Sequence, residues 1–123
     1  MDINEDGWKD IYVSNDYLTN DVLYINQQNG TFVNEISRYF KHQSHSAMGN
    51  DVADINNDGL PDIITLDMLP ATNQRLKKMQ PASNYSKYIN DQHYDYEPQF
   101  VRNTLQLNRG IGKDGHALSL IHI

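Results

Sequence analysis

The chain has no cysteine, so neither a disulfide nor a thiolate metal ligand can contribute to its fold or chemistry. Basic residues are scarce: 10 Lys and Arg stand against 16 Asp and Glu, a net charge of −6. That balance argues against a nucleic-acid partner, which would need clustered Lys and Arg. Long apolar runs are also missing. Mean hydropathy is −0.70, and no stretch approaches the roughly 20 apolar residues of a membrane-spanning helix. No glycine-rich phosphate loop follows a strand, and spacing supports no Ser-His-Asp or Cys-His arrangement, so the chain reads as non-enzymatic. His42 and His45 form a weak metal pair without a third ligand and read as part of a polar loop. Met1 is followed at once by Asp2, with no signal peptide between. The expectation is either a cytoplasmic protein or a fragment whose start is missing. At 123 residues the chain fits one domain or a piece of one.

What is present is unevenly placed. Asp2, Glu5, Asp6, Asp10, Asp54, Asp58 and Asp62 crowd into two short stretches, "DINEDGWKDI" (2–11) and "DINNDGLPDI" (54–63). The two align without a gap, Asp2 on Asp54 and Ile11 on Ile63. A second pair lies downstream, where "NDVLYINQQNG" (20–30) resembles "RNTLQLNRGIG" (102–112), with Leu23 on Leu105 and Asn26 on Asn108. A period near 50 residues suggests the blade of a β-propeller or a similar array unit.

Local patterns agree with that period. "DIYVS" (10–14) and "DIITL" (62–66) are β-branched runs directly after the acidic stretches. "VLYIN" (22–26) alternates, Asn29-Gly30 supplies a hairpin turn, and "TFVNEI" (31–36) alternates again. "AMGNDVAD" (47–54) reads as the strand before the second acidic loop. The expected fold is all-β: a partial propeller of about one and a half four-stranded blades with a partly helical insertion. Residues 1–36 form a first blade, cut at its start. Residues 37–117 form a second, interrupted by an insertion at 68–98. There "ATNQRLKKMQ" (71–80) carries helix formers, and Tyr85, Tyr88, Tyr94 and Tyr96 suggest a surface excursion or a tyrosine-lined interface. The last six residues, "LSLIHI" (118–123), fit the blade poorly and resemble a translated sequencing adapter, a non-native tail; the alternative is an ordinary last strand.

The spacing D-x-N-x-D-G-x-x-D explains the crowding of acids. Alternate side chains in a curled loop converge, and like charges 4 Å apart repel by roughly 4 kcal/mol at an effective dielectric of 20. A divalent cation relieves that repulsion, and an oxygen-only donor set favours Ca²⁺. Glycine at position six permits the sharp turn, and position seven offers a backbone carbonyl, from Trp8 or Leu60. The loop begins like an EF-hand but does not end like one. Position twelve holds Val13 or Thr65 instead of Glu, the flanks are β-branched, and Pro61 stands where a helix would have to begin. An Asx-rich turn without metal is the alternative, weakened by the duplication.

"DINNDGLPDI", with "SAMGNDVAD" before it and "LYINQQNGTF" in the first unit, resembles the FG-GAP/VCBS repeat of integrin-α-like propellers. "GWKDIYVSND" and "RNTLQLNRG" are similar to bacterial VCBS-repeat proteins of the ASPIC/UnbV-associated type, although no ASPIC/UnbV segment is present. The resemblance implies a seven-bladed propeller with calcium in loops between first and second strands. Its ligands would be Asp2, Asn4, Asp6 and Asp10 in one loop and Asp54, Asn56, Asp58 and Asp62 in the other. It also implies a secreted or cell-surface adhesion segment that packs against neighbouring blades of a longer parent and binds protein or glycan. A part in a polysaccharide-acting enzyme is the alternative.

Overall fold

A computed structural model of the chain describes residues 1–17, 19–79, 89, 92–94, 96, 98–110 and 118–122. Among the described residues the fold is all-β with a few short helical stretches. A first sheet joins β1 (Ile11–Val13), β2 (Val22–Asn26) and β3 (Phe32–Asn34) in that order. The one-turn helix α1 (Ile36–Tyr39) follows, then β4 (Gln43–Ser44) and β5 (Ala47–Ala53). Next come β6 (Asp62–Asp67), α2 (Asn73–Met79), β7 (Gln99–Phe100), β8 (Thr104–Asn108) and β9 (Leu118–His122). A four-stranded antiparallel sheet has the order β5-β6-β8-β9, and β4 pairs with β7 in parallel. Leu118–His122 pairs antiparallel with β8 at the outer edge of this sheet.

The sequence repeat is also a repeat of register. Ile11 pairs with Tyr24, Tyr12 with Leu23 and Val13 with Val22. In the larger sheet Ile63 pairs with Gln106, Ile64 with Leu105 and Thr65 with Thr104, the same alignment of equivalent residues. β6 and β8 are hydrogen-bonded neighbours although α2 and β7 lie between them in sequence.

Local chemistry sets the boundaries. β1, β2 and β6 are rich in Val, Ile and Tyr, side chains that suit a pleated, half-buried surface. The β2–β3 hairpin closes with Gln28 and Gly30 at φ +62° and +85°, and Gln27 N–H donates to Thr31 O at 2.9 Å. The alternation over 31–36 suggested a strand to Ile36, but β3 stops at Asn34. The Asn34 Oδ1 accepts the N–H groups of Leu23 at 3.1 Å and Ile36 at 3.2 Å, which turns the chain from the sheet into α1.

The core lies between the two larger sheets. Leu23, Ile25, Ile36, Tyr39 and Phe40 close on Ile3 from the first acidic loop and Ile63 from β6. Each such aliphatic side chain contributes roughly 1.5–3 kcal/mol on burial. The Tyr12 ring stacks on Phe40 at 5.3 Å and 7°. The face of the four-stranded sheet turned toward this core is largely polar: Thr65, Thr104, Gln106 and Asn108 are all buried. It is held by specific bonds, Gln106 Nε2 to His42 O at 3.1 Å and Asn108 Nδ2 to Ile3 O at 3.2 Å.

Candidate functional site

The two acidic loops fold with one hydrogen-bond pattern. Asp2 Oδ1 accepts Asp6 N–H at 3.1 Å and Asp2 Oδ2 accepts Gly7 N–H at 2.9 Å. Asp54 does the same for Asp58 at 3.1 Å and Gly59 at 2.9 Å. Asn4 and Asn56 accept from Asp6 and Asp58 N–H at 3.3 and 3.2 Å. Trp8 and Leu60 N–H donate to Asp6 and Asp58 Oδ1 at 2.8 and 2.9 Å. The backbone conformations match as well. Glu5 and Asn57 have φ +59° and +60°, and Gly7 and Gly59 have +86° and +88°. These nested turns tie positions one, three and five of each loop into one exposed, oxygen-rich curl.

The aspartates at position nine stand apart. Asp10 Oδ2 accepts Ile3 N–H at 2.9 Å and its Oδ1 accepts Asn26 N–H at 2.9 Å. Asp62 Oδ2 accepts Ile55 N–H at 2.9 Å and its Oδ1 accepts Asn108 N–H at 2.8 Å. Both carboxylates are buried. Each clamps the second residue of its loop to the end of the neighbouring strand, and no three acidic or histidine side chains among the described residues come together as a metal-holding group. The donor set at positions one, three and five, all hard oxygens on an exposed curl, has the chemistry that suits Ca²⁺. Trp8 is exposed beside the first curl and Leu60 half-buried beside the second.

The electrostatics distinguish loop from interface. The Asp6 carboxyl is held below its ordinary range, first by the Trp8 N–H and further by the Gln28 and Asn4 side chains. Asp21 shows the opposite behaviour. Burial pushes its carboxyl up, against the bonds it accepts from Tyr12 and Asn15. Tyr12 Oη donates to Asp21 Oδ2 at 2.6 Å and lies 3.3 Å from Thr65 Oγ1 across the interface. Burial, then the Asp21 charge, drives the Tyr12 hydroxyl far above its ordinary value.

Asp67 closes the far end of β6. Its Oδ2 accepts Ser44 Oγ at 2.6 Å, His45 N–H at 2.9 Å and Ser46 N–H at 3.1 Å. The two histidines face different neighbours: His45 Nδ1 lies 3.0 Å from Ser46 Oγ, and the His42 ring packs edge-on to Phe100 at 5.3 Å. Tyr94 and Tyr96 are exposed with ring centroids 6.1 Å apart; Tyr85 and Tyr88 lie outside the described residues. The clamping role of Asp10 and Asp62 toward Asn26 and Asn108 was not read from the sequence. The paired asparagines at matching repeat positions were its signal.

The doubled loop, the repeated register and the strand that follows each loop are features of one recurrent unit. A family model described as FG-GAP-like repeat matches residues 2–65. The chain belongs to the FG-GAP-like repeat family. The match takes in both acidic loops, the first sheet and the β5–β6 hairpin. No curated protein and no solved structure matches the chain. The FG-GAP-like repeat thus presents a propeller-type unit, and among its described residues no helix is long and apolar enough to cross a membrane.

Proposed function

We propose that this FG-GAP-like repeat is a calcium-binding, non-catalytic propeller segment of a secreted or cell-surface protein, whose role is adhesion to protein or glycan. One observation carries the reading. Two loops far apart in sequence adopt the same curl, bond for bond, and each gathers the side-chain oxygens of two aspartates and an asparagine. Asp2, Asn4 and Asp6 would hold one ion, and Asp54, Asn56 and Asp58 the other, with the Trp8 and Leu60 carbonyls as further donors. Bound calcium would supply charge neutralisation, which offsets the repulsion of the paired carboxylates. Asp10 and Asp62, ligands by family resemblance, act in this reading chiefly as clamps that hold each curl against its sheet.

Calcium sites of extracellular modules bind at about 10⁻⁴ to 10⁻³ M, an affinity suited to calcium concentrations outside the cell. Calorimetric titration of the chain with Ca²⁺ tests the reading. Two ions should bind, and Asp58→Ala should abolish the second site while leaving the first. Absence of binding in a sample shown by circular dichroism to be folded would sink the metal assignment and leave two Asx turns.

A further inference from the structure

The acidic loops are not alone in placing an Asx turn before a glycine. Asn29 and Gly30 stand in the β2–β3 hairpin turn, both exposed. Asn29 Oδ1 accepts the Thr31 N–H at 3.0 Å and the Thr31 hydroxyl at 2.6 Å. The N–H bond closes a ring of atoms that contains both the Asn29 side-chain carbonyl carbon and the Gly30 backbone nitrogen. In the acidic loops the corresponding turns are Asp6-Gly7-Trp8 and Asp58-Gly59-Leu60, where the Trp8 and Leu60 N–H groups donate to the aspartate Oδ1. Two differences set Asn29 apart. Gly7 and Gly59 N–H are each tied at 2.9 Å to Asp2 and Asp54, whereas Gly30 N–H has no acceptor among the described residues. The side chain at position 29 is a neutral amide that can release ammonia, while Asp6 and Asp58 have no such leaving group. Asn29 is also the one asparagine of the chain that glycine follows, so no side chain stands beside the adjacent backbone nitrogen.

We propose that Asn29 is a self-modifying site, converted to aspartate and isoaspartate by its own backbone. The Gly30 nitrogen, its proton taken by hydroxide, bonds to Asn29 Cγ. The two Thr31 donors face the oxygen on which negative charge then develops, as in an oxyanion hole. The Cγ–Nδ2 bond breaks, and the nitrogen leaves as ammonia with a proton from water, which restores the hydroxide. Water adds to either carbonyl of the resulting succinimide and opens it to aspartate or isoaspartate. The net reaction consumes one water and releases one ammonia, with no metal and no redox partner. Each product places a new carboxylate in the turn whose Gln28 Nε2 donates to Asp6 Oδ2 at 3.3 Å, beside the first acidic loop. The second repeat has Gly110 and Ile111 at the positions of Gln28 and Asn29, so its acidic loop has no counterpart of this site.

Incubation of the full chain at mildly alkaline pH, sampled over time by peptide mapping and mass spectrometry, tests it. Asn29 should convert ahead of every other asparagine, and methylation by an isoaspartyl methyltransferase should mark the isoaspartate at the same position. Thr31→Val removes the hydroxyl donor and keeps a β-branched side chain. It should slow the conversion about tenfold, less than the roughly 10²–10³ that one donor contributes in a dry enzyme site, because the turn is exposed. Thr31→Ser restores a hydroxyl and should restore most of the rate. Circular dichroism confirms that both variants keep the parent's β-structure. An Asn29 that keeps its amide while other asparagines lose theirs overturns the proposal. So does an Asn29 unchanged through the whole series, or a folded Thr31→Val that converts as fast as the parent.

Discussion

Asp62 and Asn108 are joined across 46 positions by one bond, the Asn108 N–H to Asp62 Oδ1 at 2.8 Å, and neither residue is more than 1% exposed. The other oxygen of Asp62 holds Ile55, so a single carboxylate fastens the acidic loop, β6 and the end of β8. Truncation strands two amides, each costing about 1–3 kcal/mol when buried without a partner. Asp62→Ala should therefore lose about 2–5 kcal/mol in urea denaturation with chelator present, a condition that separates the clamp from any metal. Asp10→Ala should lose less, because its Asn26 partner is only half-buried. Equal stability of Asp62→Ala and parent under chelator would remove the clamp from the account.

The clamp marks the limit of what a linear pattern reveals. The all-β class was legible, since β-branched runs follow both acidic stretches and the alternation at Val22–Asn26 has period two. The turn at Gly30 was legible from Asn29-Gly30. Which way a carboxylate points at a loop–strand border was not: at position nine one residue can serve the loop or the sheet, and only Asn26 and Asn108, brought in from other strands, decide it. The β4–β7 pairing was equally hidden, because Gln43 and Gln99 belong to two-residue strands far apart in sequence. Asn34 disguised the start of α1, for its side chain redirects a run that otherwise alternates as a strand.

The left-handed positions of the two loops predict opposite effects. Gly59 has φ +88° and open space around it, so an added Cβ meets no neighbour and the cost is one of backbone alone. Gly59→Ala should destabilise by about 1–2 kcal/mol. Glu5 has φ 59 where the second loop has Asn57, a residue that tolerates this region better. Glu5→Asn should stabilise by about 0.5–1 kcal/mol. Thermal denaturation of both variants checks the pair, and a stabilised Gly59→Ala would refute the conformational argument.

Tyr12 is anchored twice, by stacking on Phe40 and by its hydroxyl, which bonds Asp21 and lies against Thr65 of the second sheet. Tyr12→Phe keeps the ring and removes the hydroxyl, leaving buried Asp21 with one donor fewer. Hydrogen bonds to charged groups contribute about 1.5–3 kcal/mol, and a loss of that size is expected at neutral pH. With Asp21→Asn in place the same substitution should cost less, as the group it deserts is neutral. A double-mutant cycle measured by urea denaturation reads the coupling directly; additive losses would show that the hydroxyl does not act through Asp21.

Asp21 also sets a pH dependence with a defined sign. Burial raises its folded-state pKa above the ordinary 3.8, so the folded chain holds this proton more tightly than the unfolded one. The stabilisation from that proton is complete below pH 3.8 and is lost as pH rises through the raised folded value. At neutral pH the ionised, buried carboxylate is therefore a net burden on the fold. The repeat itself supplies the neutral alternative. Asn103 stands at the equivalent position and accepts Asp67 N–H at 2.9 Å, as Asp21 accepts Asn15 N–H at 2.8 Å. Asparagine at position 21 can keep that bond through its oxygen and offer its amide to the Tyr12 hydroxyl. Asp21→Asn should thus match or exceed the parent's stability at pH 7 and lose its advantage as pH falls toward 3.8. The difference between the two proteins, followed by urea denaturation across this range, isolates Asp21 because every other carboxylate is common to both. A difference that stays flat with pH would mean that Asp21 titrates alike in the folded and unfolded chains.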